Sequence, residues 1–493
     1  MSTRSRAVGA KGAGTAASTM ASVTESGNDF RARGCLAVPD LPSATAQTTA
    51  QTTALLERGL RRLAITFVNH AGSVLVKGVP LDRLALVASQ GVGFSPVADA
   101  FGATGLIDPQ QSLARPDGDL RLKPDLTALR PLDPASGWAW APGVRHGRDG
   151  EVYGLDQRGF CARQQAAFAA AGLSALAGFE IEWMVGLPQP VGSAGGWSPA
   201  VVGGPYGADR LVQGLDYLTA VAEALDAAEL PWLQLHPEYG AGQFELSLAP
   251  APPLEAADRL VAARLLIQQV SRRFGWICSF APLVTADLVG NGGHLHLSVA
   301  DQGVPLLGGG TGPAGLTTRG EALLAGLLEQ LPALMPLACA LAVSYKRLAP
   351  GRWAAPFQVW GVENREAALR LVPAGGGEIG HLELKVADLS ANPYLLVGAV
   401  LGVAQNALQQ PRPLPPPLSG DPAAASAAVA PRLPQTLSEA VQAFEASPVL
   451  REAMGEALQR TVAESRQAEV RRSDALPEEA LIASTRAWPL TGL

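Results

Sequence analysis

The sequence predicts an α+β fold in two domains, and three observations carry that expectation. At 493 residues the chain exceeds what one ordinary hydrophobic core organises. Polar groups recur at alternate positions in apolar surroundings, in Glu180-Ile181-Glu182, His294-Leu295-His296-Leu297-Ser298 and Glu383-Leu384-Lys385, which is the period of a strand aiming its charges one way. Between these strands runs a helical stretch, Leu254 to Phe274, with Leu260, Ile267, Val270 and Phe274 on one face and Gly275 as its stop.

In chain order, residues 1–54 are a Ser, Thr, Ala and Gly tail too poor in large apolar groups to fold, and disorder is expected there. A short helical stretch, Leu55 to Leu63, opens the first domain, residues 55–150. Ala64 to Val68 and Ser73 to Val76, flanking Asn69-His70-Ala71-Gly72, read as a hairpin. The second domain, residues 151–493, starts near Gln157-Arg158, and a helix from Gln164 to about Ala171, stopped by Gly172, leads to the Glu180 strand. Glu238 and Glu245 would face opposite sides of a straight strand, and Gly240-Ala241-Gly242 supplies the turn or bulge that brings them together. Gly308 to Gly312 lacks the Lys-Ser/Thr of a phosphate loop and leads instead into a helix capped by Thr318 and Glu321. Arg412 to Ala430, rich in Pro and Ala, is a loop, and helices entered at Ser438 and at Ser447-Pro448 close the chain.

Glu180, Glu182, Glu238, Glu245, Glu383 and His294, gathered in one sheet concavity, cannot stay charged and unpaired, because an uncompensated buried carboxylate costs many kcal/mol. Divalent cations are the natural counter-charge. Carboxylates with a single imidazole suit Mg²⁺ or Mn²⁺, and such a platform most often serves phosphoryl transfer. Charged residues make up only 17% and the net charge is −6, which points away from nucleic acid or an anionic membrane as partner. Cys35, Cys161, Cys278 and Cys339 form no C-x-x-C pair and read as reduced thiols of a cytoplasmic protein. No uncharged apolar run approaches the roughly 20 residues of a membrane helix.

The same residues resemble the glutamine synthetase superfamily, over most of the chain after about residue 60. Gly178-Phe179-Glu180-Ile181-Glu182-Trp183 is similar to its first metal-ligand strand and His236 to Glu245 to its H-x-E…GQ-x-E segment. Gly290 to Ser298 resembles the glutamate and ATP strand, and Ser344 to Gly351 the S-Y-K-R-L-x-P-G flap region. Asn364-Arg365 with Arg370 resembles the phosphate-binding arginines; His381 to Lys385 and Ala391 to Leu395 resemble the last active-site strand and the helix entry after it. Six such segments stand in the family's order.

The resemblance implies a small β-grasp domain ahead of a catalytic domain built on a curved antiparallel sheet with flanking helices. It implies ATP and two or three Mg²⁺ (or Mn²⁺), with Glu182, Glu238 and Glu245 on one ion and Glu180, His294 and Glu383 on the second. Arg365 and Arg370 would neutralise the transferring phosphoryl group, and His296 and Ser298 would contact the nucleotide. Arg347, Lys385, Gly290, Gly292 and His294 would line the glutamate site. Asp119 falls where the family donates an aspartate to a neighbouring subunit's site, implying a homo-oligomer, a dodecamer of two hexameric rings. His70, His146 and His381 receive no role.

Departures from the family pattern set the expected substrate. Ammonia-using members carry glutamate in the flap, where this chain has Trp353 in Pro350-Gly351-Arg352-Trp353-Ala354-Ala355-Pro356. An indole cannot take a proton from ammonium but can stack on an alkylammonium or cover an aliphatic chain. Val289, Lys385 and the run Gly361 to Ala367 depart in the same direction, towards γ-glutamyl-polyamine and γ-glutamyl-amine ligases. The expectation is a ligase joining the γ-carboxylate of glutamate to an organic amine through a γ-glutamyl phosphate. An ammonia-using glutamine synthetase is the first alternative, and a non-catalytic glutamate- or nucleotide-binding relative the second.

Overall fold

Two sheets carry the architecture, in a computed structural model that describes residues 52–188, 196–374 and 379–489. The tail expected to be disordered lies, up to residue 51, outside the described residues. Residues 52–57 are helical, and Gly59, at φ +84°, ends that turn, so Leu63 belongs to the first strand rather than to the helix expected there.

The first sheet begins with the expected hairpin, β1 (Arg62–Val68) against β2 (Val74–Pro80). Its turn is closed by Asn69, whose N–H and C=O bond Ser73 and Gly72 at 3.0 Å each, with Gly72 at φ +81°. β3 (Val92–Phe94), β4 (Leu120–Pro124), β5 (Arg130–Asp133) and β6 (Trp138–His146) complete it in the order β2-β1-β6-β4-β3, with β5 beside β6. The β1–β6 pair is parallel and the others are antiparallel.

The second sheet holds β7 (Leu173–Gly186), β8 (Trp232–Pro237), β9 (Gln243–Leu248), β10 (Ile277–Ser279), β11 (Leu295–Asp301), β12 (Val304–Pro305), β13 (Phe357–Val362), β14 (Ala367–Pro373) and β15 (Ile379–Leu384). Their order is β13-β14-β15-β11-β7-β9-β8, antiparallel except for the β13–β14 pair, with β10 on β7 and β12 on β11. One face is apolar: Leu295, Leu297, Leu382 and Leu384 pack with Leu331 and Leu334 of the Thr318–Ala338 helix and Val400 of the Pro393–Gln409 helix. Alternation along the same strands therefore turns their polar residues to the other face.

The helix leading to β7 spans Gln157–Ala170, earlier than the Gln164 start expected. Asp156 caps it, accepting from the Gly159 N–H at 2.7 Å, and Gln157 and Arg158 are buried in polar pairings that hydrophobic periodicity does not reveal. Leu260, Ile267 and Val270 line the buried face of the Pro253–Arg273 helix, whereas Phe274 sits just past its end, edge-on to Tyr217 at 5.5 Å. Thr317, not Thr318, caps the next helix through its hydroxyl and the Gly320 N–H, at 2.9 Å. That helix is long and apolar enough to cross a membrane, but most of it is buried inside the fold as its core helix. Thr436, not Ser438, caps Leu437–Ala446, and Ser447 opens Pro448–Met454 as expected. The proline-rich loop lies along β13, where Leu418 N–H donates to the Trp360 carbonyl at 2.8 Å and the Trp360 indole to the Pro415 carbonyl at 2.7 Å.

Candidate active site

On the polar face, cross-strand register lines the chemistry up in two rows that meet on β7. His236 of β8 stands opposite Glu245 of β9, which stands opposite Glu182. Arg370 of β14 stands opposite Glu383 of β15, which faces His296 of β11. Glu180 and Glu182, two apart on β7, present one carboxylate to each row. The turn after β8 brings Glu238 beside Glu245, and Gly242 makes it at φ +70°. These rows floor a cavity of about 1060 Å³, room for a nucleotide and two small substrates.

The first row is fixed by amide chemistry. Glu182 Oε2 accepts from the Gly292 N–H at 2.8 Å and from Gln243 Nε2 at 3.0 Å, and Gln243 also donates to the Gly290 carbonyl at 3.0 Å. A Cβ on Gly292 would meet His294 Nε2 at 2.2 Å, so only glycine fits there. His236, Glu238 and Glu245 bring one ligand atom each within 4.8 Å of one another. Burial, then the charges of Glu182 and Glu245, pushes Glu238 up to about 7, and burial also raises Glu245. His236, hydrogen-bonded to Glu245, is raised to about 9.

The second row is better compensated. His294 Nδ1 lies 2.8 Å from Glu180 Oε2 and 3.4 Å from Glu383 Oε1, and His296 Nε2 lies 3.2 Å from Glu180 Oε1. Burial raises both carboxylates, but the histidines around Glu180, and Lys385 with His294 around Glu383, overrule it and hold both below the ordinary range. Arg370 Nη1 bonds Glu383 Oε2 at 3.0 Å, and Lys385 Nζ stands 3.7 Å from Glu383 Oε1. Glu383 Oε1 is buried without a hydrogen bond among the described residues.

A buried carboxylate oxygen without a hydrogen bond among the described residues, two glutamates raised by burial and by neighbouring carboxylates, and a carboxylate–imidazole donor set together fit hard divalent cations. Of the expected ligands, Glu238 and Glu245 cluster with His236, and Glu180 and Glu383 with His296, whereas Glu182 and His294 belong to neither cluster. His296 is among the expected nucleotide contacts; His236 was missed, although the alternation His236-Pro237-Glu238 signalled it.

Gly290, His294, Ser298, Arg347, Trp353, Arg365, Arg370 and Lys385 all line the cavity. Arg347 donates Nη2 to the Val386 carbonyl and, at 3.2 Å, to that of Ala387, while its buried Nε has no hydrogen bond among the described residues. Arg365 is exposed at the rim. His381, given no role, also lines the cavity, edge-on to His296 at 4.9 Å. Asp119 is not part of this lining: it is exposed and paired with Arg121. Trp353 is 47% exposed at φ +51°, its ring 5.0 Å from that of Tyr239 at an interplanar angle of 77°.

Comparison with known proteins agrees with this geometry. The family described as glutamine synthetase, catalytic domain, matches residues 154–483. A γ-glutamylpolyamine synthetase from Streptomyces coelicolor is 41% identical over 454 residues, covering 90% of this chain and 97% of the relative. A glutamate–methylamine ligase from Methyloversatilis universalis is 28% identical over 422 residues, 81% of this chain and 90% of that one. A solved GmaS–ADP complex superposes with a TM-score of 0.75 at 27% identity, covering 86% of this chain and 96% of the other.

Proposed function

The chain belongs to the glutamine synthetase family, and from that premise we propose that it is an ATP-dependent ligase joining the γ-carboxylate of glutamate to an organic amine. The γ-phosphoryl group of ATP passes to the glutamate γ-carboxylate and ADP leaves. The amine nitrogen then attacks the γ-carbonyl carbon, phosphate departs with the C–O bonding pair, and the nitrogen loses a proton to leave the amide.

Arg365 and Arg370, at the cavity wall, neutralise the transferring phosphoryl group, and His296 and Ser298 contact the nucleotide. Arg347 and Lys385, with Gly290 and Gly292 shaping the strand entry, orient glutamate. Glu182, Glu238 and Glu245 beside His236, and Glu180, His294 and Glu383 beside His296, are the residues that would hold two or three Mg²⁺ or Mn²⁺ ions. Such ions, when bound, supply charge neutralisation for the ATP phosphates.

The observation that carries the amine assignment is Trp353, an indole in the cavity wall at the flap position where the family resemblance implies a carboxylate in ammonia-using members. It offers an apolar, π-rich surface to an alkyl chain and no base for ammonium. The test is phosphate release from ATP and glutamate with ammonium, putrescine, spermidine, ethanolamine and methylamine in turn. An organic amine should be the best acceptor, and ammonium as best acceptor would replace this reading with ordinary glutamine synthesis.

The domain boundary we propose falls between β6 and the Gln157–Ala170 helix, where one sheet ends and the approach to the other begins. Asp119, standing outside its own chain's cavity, supports a ring assembly in which it completes a neighbour's site. Three buried free thiols, Cys161, Cys278 and Cys339, support the cytoplasm as location.

A further inference from the structure

Trp353 is held in place by two residues to which neither the relatives' names nor the metal and phosphate chemistry assigns anything. Its backbone N–H donates to Glu366 Oε1 at 2.6 Å, a charge-assisted bond to a left-handed residue that its own side chain disfavours. Glu366 is in turn placed by Asn364, whose Oδ1 accepts the Glu366 N–H at 3.0 Å and whose Nδ2 donates to the carbonyls of Leu418 and Gly420 at 3.1 and 3.0 Å. On the other side of the flap, Arg352 donates to the Ala286 carbonyl at 3.1 Å. The indole then meets Tyr239, which sits next to Glu238 in the β8–β9 turn, its N–H bonded to Glu238 Oε2 at 2.9 Å. The flap is thereby tied at its backbone to Glu366 and at its ring to the acidic turn.

Accepting the glutamate–amine ligase reading, we propose that Glu366 and Tyr239 are positioning residues that fix the Trp353 indole as one wall of the amine site, and that this wall selects amines carried on an aliphatic chain. The chemistry of the wall decides the class. Trp353 and Tyr239, edge to face and both in the cavity lining, expose apolar ring surface beside the carboxylates of Glu182, Glu238 and Glu245. An alkylamine lays its chain against these rings, a surface that ammonium, having no chain, cannot use. Without Glu366 no other group among the described residues accepts the Trp353 N–H, and a left-handed tryptophan relaxes to another backbone conformation. Glu366 Oε2 is buried without a hydrogen bond among the described residues, so an amide that keeps the acceptor oxygen facing the Trp353 N–H can replace the carboxylate.

The experiment compares Glu366→Ala, Glu366→Gln, Tyr239→Ala and Tyr239→Phe. KM is measured for the best alkylamine, for glutamate and for ATP, and amide exchange is followed in the flap peptide spanning 349–356. Glu366→Ala and Tyr239→Ala should raise the amine KM roughly three- to tenfold with the ATP KM unmoved. Flap exchange should quicken in Glu366→Ala. Glu366→Gln, which keeps an acceptor, and Tyr239→Phe, which keeps the ring, should restore both readouts. Equal losses of kcat in Glu366→Gln and Glu366→Ala would overturn the positioning role by making the carboxylate a proton acceptor. An amine KM unmoved in the alanine variants, or flap exchange unmoved in Glu366→Ala, would overturn it outright. A wild type that prefers ammonium instead removes the organic-amine reading, while the exchange data still judge whether Glu366 holds the flap.

Discussion

Around Arg145, where β6 meets the start of the Gln157–Ala170 helix, and around Glu182 and Glu383, on the floor of the cavity, the chain buries charge in two different ways. Arg145 bonds Asp99 Oδ2 at 2.6 Å, Asp156 Oδ2 at 3.0 Å and Gln157 Oε1 at 2.7 Å; Gln157 Nε2 reaches Asp99 and His70 Nδ1, and His70 Nε2 lies 3.1 Å from Thr461 Oγ1. A guanidinium forking between two carboxylates leaves a single net negative charge there, and every charged member is hydrogen-bonded. The cavity gathers five glutamates against Arg370, Lys385 and histidines, and leaves Glu383 Oε1 without a hydrogen bond among the described residues and Glu238 raised to about 7. Buried charge with its partners in place is tolerated by the fold and costly to break; unsatisfied buried charge marks where a ligand belongs. The contrast separates two sets of residues that look alike in a sequence.

Four measurements break or sharpen that contrast, and the largest effect belongs to the cavity. Glu383→Gln should lower Mg²⁺-dependent phosphate release about a thousandfold, roughly 4 kcal/mol at the transition state, while circular dichroism stays unchanged; retained turnover would remove the metal assignment. Asp99→Ala should do the reverse, costing about 3 kcal/mol of stability in denaturant because Arg145 loses a buried partner, with the amine KM of the folded enzyme kept. Next comes His70, fully buried, its pKa lowered by that burial to about 4. The unfolded chain takes up a proton below about 6.5 and the folded chain only below about 4. Stability from this site is therefore complete above about 7, falls by roughly 3 kcal/mol as pH drops from 6.5 to 4, and then levels. Denaturant midpoints across that window should slope less in His70→Gln than in the wild type. The smallest effect is thermal: Mg²⁺ should raise the wild-type midpoint by a few degrees and Glu238→Gln by less, since the variant has one fewer carboxylate to neutralise.

The same contrast explains what the sequence made legible. Period-two alternation located Glu180, Glu182, His294, His296 and Glu383, and the glycines between Glu238 and Glu245 announced the turn that joins them. The family resemblance supplied the roles. Both signals are local. The start of the Gln157–Ala170 helix was missed because Gln157 and Arg158 are polar yet buried, paired with residues distant in sequence such as Arg145 and Asp258. His236 joins the Glu238 and Glu245 cluster through a partner, Glu245, that lies across a strand pair. Glu366 and Tyr239 could not be found at all, since each meets Trp353 only through tertiary structure. Assembly lies further still from local signals, and mixing Asp119→Asn with Arg370→Ala subunits should restore part of the activity if Asp119 completes a neighbour's site.

The central claim is that Trp353 directs this fold away from ammonium. It is tested most directly by the ratio of kcat/KM for the best alkylamine to that for ammonium, in the wild type and in Trp353→Glu. Loss of a cation–π and packing surface worth roughly 0.5–2 kcal/mol should lower the ratio by a few-fold to about thirtyfold, through a weaker alkylamine term and a stronger ammonium term. A wild-type ratio below one, or equal losses for both amines in Trp353→Glu, would contradict it.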